Sequence, residues 1–177
     1  MLGLMRGTVQ LLPHEKNWET VAAETQTLLK QLLGETAMDV QHVGSTAIKS
    51  ICAKPIIDMA VGVKALDDVK PYIDILAQHG IRYRKEDVAE QLLFVIGEGE
   101  HRTHHIHVVV WNSDAWKNYL NFRDYLNAFP EKAAVYEEKK MKLAAEFSND
   151  RGSYTGGKQE LISMLLDEAR AWREAAE

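Results

Sequence analysis

Residues 56–63 form an almost wholly apolar run, and this run constrains the fold more than any other feature of the sequence. Such a run is typical of a strand that is covered on both faces, and therefore lies centrally in a sheet. The exception is Asp58, which would share one face of the strand with Ala60 and Gly62. Because an unpaired ionised carboxylate is costly in apolar surroundings, Asp58 either pairs with a helix N-terminus or an arginine, or binds a metal or substrate.

A turn of small residues comes shortly before this strand. Gly44, Ser45 and Thr46 follow an alternating segment at residues 38–43, which we predict to be a strand. Small residues let backbone amides approach a ligand closely. We therefore predict a ligand-binding turn here, followed by a short helix over residues 46–51 with Thr46 near its N-cap.

The rest of the sequence predicts short strands and flanking helices, with a helical C-terminal third. Strands are predicted at 8–12, from 81, at 91–96 and at 104–111, and helices at 17–34 with Asn17 as N-cap, at 67–80, at 113–128, from Pro130, and after Thr155 or Gly156. This order predicts an α+β fold, α/β in the broad sense, with an antiparallel or mixed sheet. The length of 177 residues fits a single domain over residues 1–177.

Composition narrows the classes of protein that this sequence can belong to. The net charge of −5 argues against a nonspecific nucleic-acid binder, although a local basic pocket is compatible with it. One cysteine excludes a disulfide framework within the chain and favours a reducing compartment. No apolar run approaches the roughly 20 residues of a membrane span, and no signal peptide is recognisable. We therefore expect a cytoplasmic protein without a membrane partner; its oligomeric state stays open.

Two histidines alternate along the last predicted strand. His105 and His107 would share one face, where two imidazoles at positions i and i+2 can reach a common ligand. A structural pair of hydrogen-bonded histidines fits the same spacing. His101 and His104 lie nearer the preceding loop, and we expect both to be solvated.

The three C-terminal helices each carry one cation within their apolar stripe. These cations are Arg123, Lys140 and Lys158. Long basic side chains can reach outward from an apolar face or pair with carboxylates. Three in consecutive helices also fit a set of basic groups that converge on an anion such as a triphosphate.

Several motifs together resemble the GrpB family of the nucleotidyltransferase superfamily. They are HVGSTAI at 42–48, AKPIIDMAV at 53–61, HIHVVV at 105–110, FRDYL at 122–126, the spacing of Tyr136, Lys140, Leu143 and Ala144, and Tyr154 with Lys158. They stand in the order of the family and cover roughly residues 8–170. The resemblance implies a nucleotidyltransferase-like mixed sheet with flanking helices.

The resemblance also implies roles for individual residues. Gly44 and Ser45 would form a phosphate-binding turn with Thr46 and Lys54 near the substrate, and Asp58 would be the first carboxylate of a Mg²⁺ site. Active superfamily members carry a second acid two residues later on this strand and a third on a neighbouring strand, and use two metal ions. Here the second position is Ala60, and the neighbouring strand offers histidines. One carboxylate cannot hold two hard cations, and imidazole is a poor Mg²⁺ ligand.

The sequence leaves open whether the protein is an enzyme. One hypothesis is transfer of a nucleotidyl group from a nucleoside triphosphate to a small acceptor, with Asp58, His105 and His107 as catalytic residues. Arg123, Lys140 and Lys158 would then bind the substrate. The alternative is a noncatalytic protein that binds a nucleotide or another phosphorylated small molecule. Two further hypotheses are a hydrolase or phosphotransferase built on the histidines, and a transition metal at His105 and His107, with or without His42.

Overall fold

The computed structural model describes residues 1–84 and 90–177, and its centre is a five-stranded mixed sheet. The strands are β1 (Leu4–Met5), β2 (Asp39–Val43), β3 (Ile57–Val63), β4 (Arg82–Arg84), β5 (Gln91–Ile96), β6 (His101–Arg102) and β7 (His104–Val110). The helices are α1 (Asn17–Leu33), α2 (Ile73–Gln78), α3 (Asp114–Ala128), α4 (Pro130–Glu146), α5 (Arg151–Gly157) and α6 (Gln159–Ala176). The predicted α+β class, with flanking helices and a helical C-terminal third, is confirmed.

The pairing of β3 with β7 brings the residues of interest onto one face of the sheet. The strand order is β2-β3-β7-β5-β4. β3 and β7 run parallel, whereas the other neighbouring pairs are antiparallel. In the parallel register Asp58 lies opposite His105 and Ala60 lies opposite His107. Because paired residues point to the same side of a sheet, Asp58 and both histidines share a face.

Apolar layers cover both faces of β3, as the sequence predicted. On one face Met59 and Val61 belong to a core that includes Trp18 and Leu29 of α1. On the other face Ala60 packs against Trp116 at the start of α3. A central strand covered in this way cannot slip by one residue without exposing its core side chains, so the direction of Asp58 is well determined.

The first predicted strand is wrong. Residues 8–12 form no strand, and only Leu12 makes an isolated antiparallel bridge, with Ala53. The segment bonds with loops instead of with a strand: the Val9 amide donates to the Ser148 carbonyl, and Leu12 exchanges hydrogen bonds with Ala53. β1 pairs with β6 instead. The Leu12–Ala53 bridge has a local effect, because it holds the backbone next to Lys54.

Helix boundaries agree with the sequence in the C-terminal third and differ elsewhere. Ser113 caps α3 by accepting a hydrogen bond from the Trp116 amide, and Pro130 is the first residue of α4, both as predicted. Asn17 is not an N-cap but the first helical residue of α1. Three predicted helices are divided or shortened. In place of the helix predicted at residues 46–51 there is the 3₁₀ turn Ser45–Ala47. The helix predicted at residues 67–80 is divided into the 3₁₀ segment Leu66–Tyr72 and α2, and the short helix α5 precedes the last helix. Among the described residues no helix combines the length and apolarity needed to cross a membrane.

His104 is buried, contrary to the prediction that it is solvated. Only 6% of the residue is exposed, because its side chain points towards α1. Its Nε2 atom lies 3.1 Å from the Thr25 hydroxyl and its Nδ1 atom lies 2.9 Å from the Thr103 hydroxyl. Burial lowers the pKa of His104 to about 4. Burial likewise lowers the pKa of His42, on β2, to about 4. Both imidazoles are therefore neutral in the folded protein at pH 7.

These two histidines predict that acid destabilises the fold. Their pKa values are about 4 in the folded protein, against the unperturbed value of 6.5 that applies to the unfolded chain. Between pH 4 and pH 6.5 the unfolded chain therefore binds more protons than the folded protein. The free energy of unfolding should therefore decrease from pH 6.5 towards pH 4, by up to about 1.4 kcal/mol per pH unit for each histidine. Urea denaturation across this range measures the slope. His104→Gln should flatten it, and the exposed control His79→Gln should not; a slope unchanged in His104→Gln contradicts the assignment.

Candidate functional site

The Asp58 carboxylate is paired with two imidazoles from the neighbouring strand. Its Oδ1 atom lies 3.1 Å from Nε2 of His107 and 3.5 Å from Nδ1 of His105. The Asp58 side chain keeps 28% of its surface exposed, whereas the two histidine side chains are 16% and 13% exposed. The pairing partner is thus neither a helix N-terminus nor an arginine, the two structural partners that the sequence suggested.

These contacts keep Asp58 negatively charged. Burial alone would raise the pKa of its carboxyl, but the hydrogen bonds from His105 and His107 outweigh burial and hold the pKa well below its ordinary range. Burial lowers the pKa of His105, although Asp58 opposes this shift. At neutral pH the pair is therefore a carboxylate next to a neutral His105 imidazole.

The turn at Gly44 closes directly over Asp58. Gly44 has a φ angle of +71° and a ψ angle of −172°, a backbone conformation that is essentially restricted to glycine. A Cβ atom at this position would lie 2.6 Å from Oδ2 of Asp58. The predicted small-residue turn therefore has a definite steric purpose, because only glycine lets the backbone approach the carboxylate so closely.

A cavity of about 240 Å³ opens beside Asp58. Gly44, Ser45, Asp58 and His105 line its sheet side. The opposite wall comes from the C-terminal helices and includes the aromatic residues Phe122, Tyr136 and Tyr154. Burial raises the pKa of Tyr136 to about 12, so its hydroxyl stays protonated at neutral pH. The cavity thus joins the two parts of the fold that the sequence singled out separately.

Three cationic side chains line the same cavity. Lys54 precedes β3, Arg151 begins α5, and Lys158 lies between α5 and α6. The Nζ atoms of Lys54 and Lys158 lie 5.2 Å and 4.4 Å from the centre of the Tyr154 ring, so one aromatic ring is shared by two ammonium groups.

The crowding of these cations shows in their pKa values. Burial, followed by the charges of Arg151 and Lys158, lowers the pKa of Lys54 to about 7. Burial, followed by Arg151, lowers the pKa of Lys158 to about 8, while Asp58 opposes the shift. Among the described residues that line the cavity, Asp58 is the single acid against these three bases. The described lining side chains therefore carry more positive than negative charge, and such surroundings favour an anionic ligand.

The predicted convergence of Arg123, Lys140 and Lys158 is wrong, because Lys158 alone reaches the cavity. Arg123 turns to the edge of the sheet, where Nη1 donates to the Gln41 side chain at 2.8 Å and to the His42 carbonyl at 3.0 Å. It lines a separate cavity with His42. Helical spacing placed Arg123 and Lys140 on inward stripes correctly, but it could not tell which part of the interior each helix faces. Lys158 lies between α5 and α6 and not on a helical stripe.

Lys140 and Thr46 also lie outside the cavity, although the sequence predicted both as substrate-binding residues. Lys140 is 1% exposed and donates a hydrogen bond to the Cys52 carbonyl, which is a structural role behind the cavity wall. Thr46 is 1% exposed, and its hydroxyl lies 2.8 Å from Nε2 of His42. His107 contacts Asp58 from behind and does not line the cavity.

The residues at this site do not fit a two-magnesium centre. Asp58 directs Oδ1 at two imidazoles, and the remaining lining side chains are cationic, aromatic, aliphatic or hydroxyl-bearing. Mg²⁺ requires several oxygen ligands in octahedral geometry. Among the described residues no group of three or more histidine, cysteine or acidic side chains is arranged to hold a metal ion. His42 cannot join the other two histidines, because it pairs with Met59 and so points to the opposite face.

Arg151 is the functional candidate that the sequence analysis missed. It lies in the polar segment after α4, which looks like a loop because it is rich in asparagine, aspartate, glycine and serine. The available signal is the spacing of Asp150 and Ser153. Asp150 caps α5 by accepting a 3.0 Å hydrogen bond from the Ser153 amide, which is a recognisable helix start.

Comparisons of the sequence and of the structure with known proteins indicate the same family. A family model described as GrpB protein matches residues 8–168. The glutamate-rich protein GrpB of Alkalihalophilus pseudofirmus is 39% identical over 95% of this chain and 99% of its own length. A UPF0157 protein of Pseudomonas aeruginosa is 32% identical over 92% of this chain and 68% of its own length. The crystal structure of the conserved protein GrpB from Enterococcus faecalis matches with a TM-score of 0.84 and 28% identity, covering 92% of this chain and 99% of that one.

The close approach of Gly44 to Asp58 predicts a large effect of adding one methyl group. Gly44→Ala should destabilise the protein by about 2–4 kcal/mol, because it adds a steric clash to the cost of an unfavourable φ angle. Gly80→Ala is a control for a positive φ angle without a clash: its φ angle is +76°, and a Cβ atom there meets nothing within 4 Å. Urea denaturation of both variants compares the two losses of stability. Equal losses of stability would contradict the proposed contact with Asp58.

Proposed function

This chain belongs to the GrpB family, and we propose that it binds the phosphate end of a nucleotide or another small phosphorylated molecule in the cavity beside Asp58. The observation that carries this proposal is the excess of cations in that cavity. Lys54, Arg151 and Lys158 line it with a single acidic side chain among the described lining residues. Cationic side chains gathered around one cavity attract an anion, and a phosphate provides two negative charges and several acceptors for their N–H groups.

The shape of the cavity supports the same ligand class. Its volume of about 240 Å³ is below the roughly 300–1,000 Å³ of sites that enclose a drug-sized ligand. It suits the phosphate-bearing end of a ligand, with the remainder extending towards the opening. Arg151 offers a planar fork of donors and the lysines offer compact charges. The Ser45 hydroxyl adds a neutral donor from the sheet side.

Transfer of a nucleotidyl group to a small acceptor is the second candidate. It is favoured by one observation, that Ser45 and Asp58 line the same cavity as the cations. Binding of Mg²⁺ at Asp58 stays a prediction. Because the side chains around Asp58 fit this ion poorly, the proposed function includes no step that involves a metal. Binding of a phosphorylated ligand is common to both candidates and can be tested first.

Removing one cation should weaken binding of a nucleoside triphosphate. Lys158→Met keeps the length and apolar packing of the side chain but removes its charge, so we expect affinity to fall about 10- to 100-fold, as for the loss of one charged hydrogen bond. Isothermal titration calorimetry with each of the four ribonucleoside triphosphates measures this change. The control is Lys142→Met, which removes an exposed lysine paired with Glu138 outside the cavity. Equal affinities of the two variants for a triphosphate, or no triphosphate binding by the unmodified protein, would contradict the proposal.

Affinity for a triphosphate should also decrease between pH 7 and pH 9. The pKa values of Lys54 and Lys158 are about 7 and 8, so both ammonium groups lose protons as the pH rises through this range. Arg151 keeps its charge throughout, and Asp58 stays ionised. The anion favours the protonated lysines, so binding is strongest below their pKa values. Titrations at constant ionic strength test this trend; an affinity that is constant or rises with pH contradicts it.

A further inference from the structure

The pair formed by Asp58 and His105 has a chemical capacity that phosphate binding does not use. His105 presents Nδ1 to the carboxylate at 3.5 Å, and its ring lines the cavity. A carboxylate that accepts a hydrogen bond from one imidazole nitrogen holds the proton on that nitrogen. The other nitrogen of the ring then has a free lone pair that can accept a proton. Here the proton-bearing atom is Nδ1, so Nε2 is the basic atom. Such contacts are often long before a substrate is bound.

His107 does not compete with His105 for this role. Its Nε2 atom lies 3.1 Å from the same Oδ1 atom of Asp58, and its ring lies 5.1 Å from the ring of Tyr119. Its Nδ1 atom is buried without a hydrogen-bond partner among the described residues. His107 is thus enclosed on the far side of the carboxylate, where it helps to fix Asp58.

We propose that His105 is a general base that activates a hydroxyl nucleophile, water or the hydroxyl of an acceptor, for attack on a phosphoanhydride bond of the ligand held in the cavity. This inference rests on the proposed function, because it requires the phosphorylated ligand to be bound there. Asp58 is a positioning residue, since it acts through His105. Lys54, Arg151 and Lys158 stabilise the charge that develops on the phosphoryl oxygens.

The step balances without a further reactant when water is the nucleophile. Nε2 of His105 takes one proton from the water while the water oxygen forms a bond to phosphorus. The bond between phosphorus and the bridging oxygen breaks, and the leaving phosphate group departs with the electron pair. His105 then releases the proton to solvent and returns to its neutral form.

The charges around His105 favour the neutral form that a base requires. Arg151 of α5 and His107 of its own strand disfavour protonation, as does burial, whereas Asp58 on β3 favours it. Lys54 and Lys158 line the same cavity and add positive charge. Replacement of Asp58 by asparagine removes the one group in this set that favours protonation. The acidic limb of the pH–rate profile, on which the rate rises as His105 loses its proton, should therefore move to lower pH in that variant.

The test combines turnover with binding in the full chain. The protein is incubated with each of the four ribonucleoside triphosphates and Mg²⁺, and released phosphate or pyrophosphate is separated by ion-exchange chromatography. His105→Asn retains an amide in the place of Nδ1 but has no base, so kcat should fall about 10²- to 10⁴-fold with the dissociation constant changed less than about threefold. The exposed control His79→Asn should leave both unchanged. Asp58→Asn should lower kcat and shift the pH profile as described.

Each other outcome has a definite meaning. Turnover that survives in His105→Asn overturns the assignment of the base. Binding of triphosphates by the unmodified protein without release of either product overturns this inference and leaves the proposed function standing. Absence of binding overturns both. Thermal denaturation of His105→Asn shows whether the variant is folded, and triphosphate binding by the variant shows that its cavity is intact.

Discussion

The contact between Asp58 and the two histidines of β7 is the interaction on which the arrangement of the site depends. A carboxylate in the middle of an apolar strand would be unstable without a partner. The parallel register of β3 and β7 supplies that partner twice, because His105 and His107 follow the same alternation as Asp58 and Ala60. The Gly44 turn then closes over the carboxylate from the third side. The pairing of the carboxylate therefore depends on the register of the sheet, because a shift of either strand by one residue would separate Asp58 from both histidines.

The helical third completes the site in a way that differs from a simple ring of inward cations. Arg123 holds a carbonyl group near the end of β2, and Lys140 holds one in the loop that precedes β3, so both act on the sheet. Lys158 and Arg151 instead face the cavity beside Asp58 with Lys54. Basic residues of the helical third thus serve two different purposes. Some support the backbone that presents the turn and the carboxylate, and others are directed at the space in front of them.

Sequence reasoning succeeded where a pattern is local and failed where a position depends on neighbours distant in the chain. The central strand, the Gly44 turn and the shared face of His105 and His107 all follow from alternation or from residue size. The strand predicted at residues 8–12 failed because its backbone bonds with the loops at Ala53 and Ser148, two contacts distant in the chain that no local pattern records. Arg123 failed for a related reason, since its helical stripe is correct but the part of the interior it faces depends on how α3 packs. Arg151 escaped notice because its helix is only seven residues long and rich in glycine.

The cavity is bounded by two walls of separate origin, and this has a consequence for how such a protein can change. The carboxylate, the imidazoles and the glycine turn belong to the sheet, whose positions are determined by a tightly packed core. Arg151, Tyr154 and Lys158 belong to α5 and the residue that follows it, a short segment near the surface. Under the proposed function, substitutions in that segment would change the charges that meet the ligand without disturbing the groups on the sheet. The fold therefore places two of the three proposed ligand-binding cations on a short surface segment and the proposed base on the packed sheet.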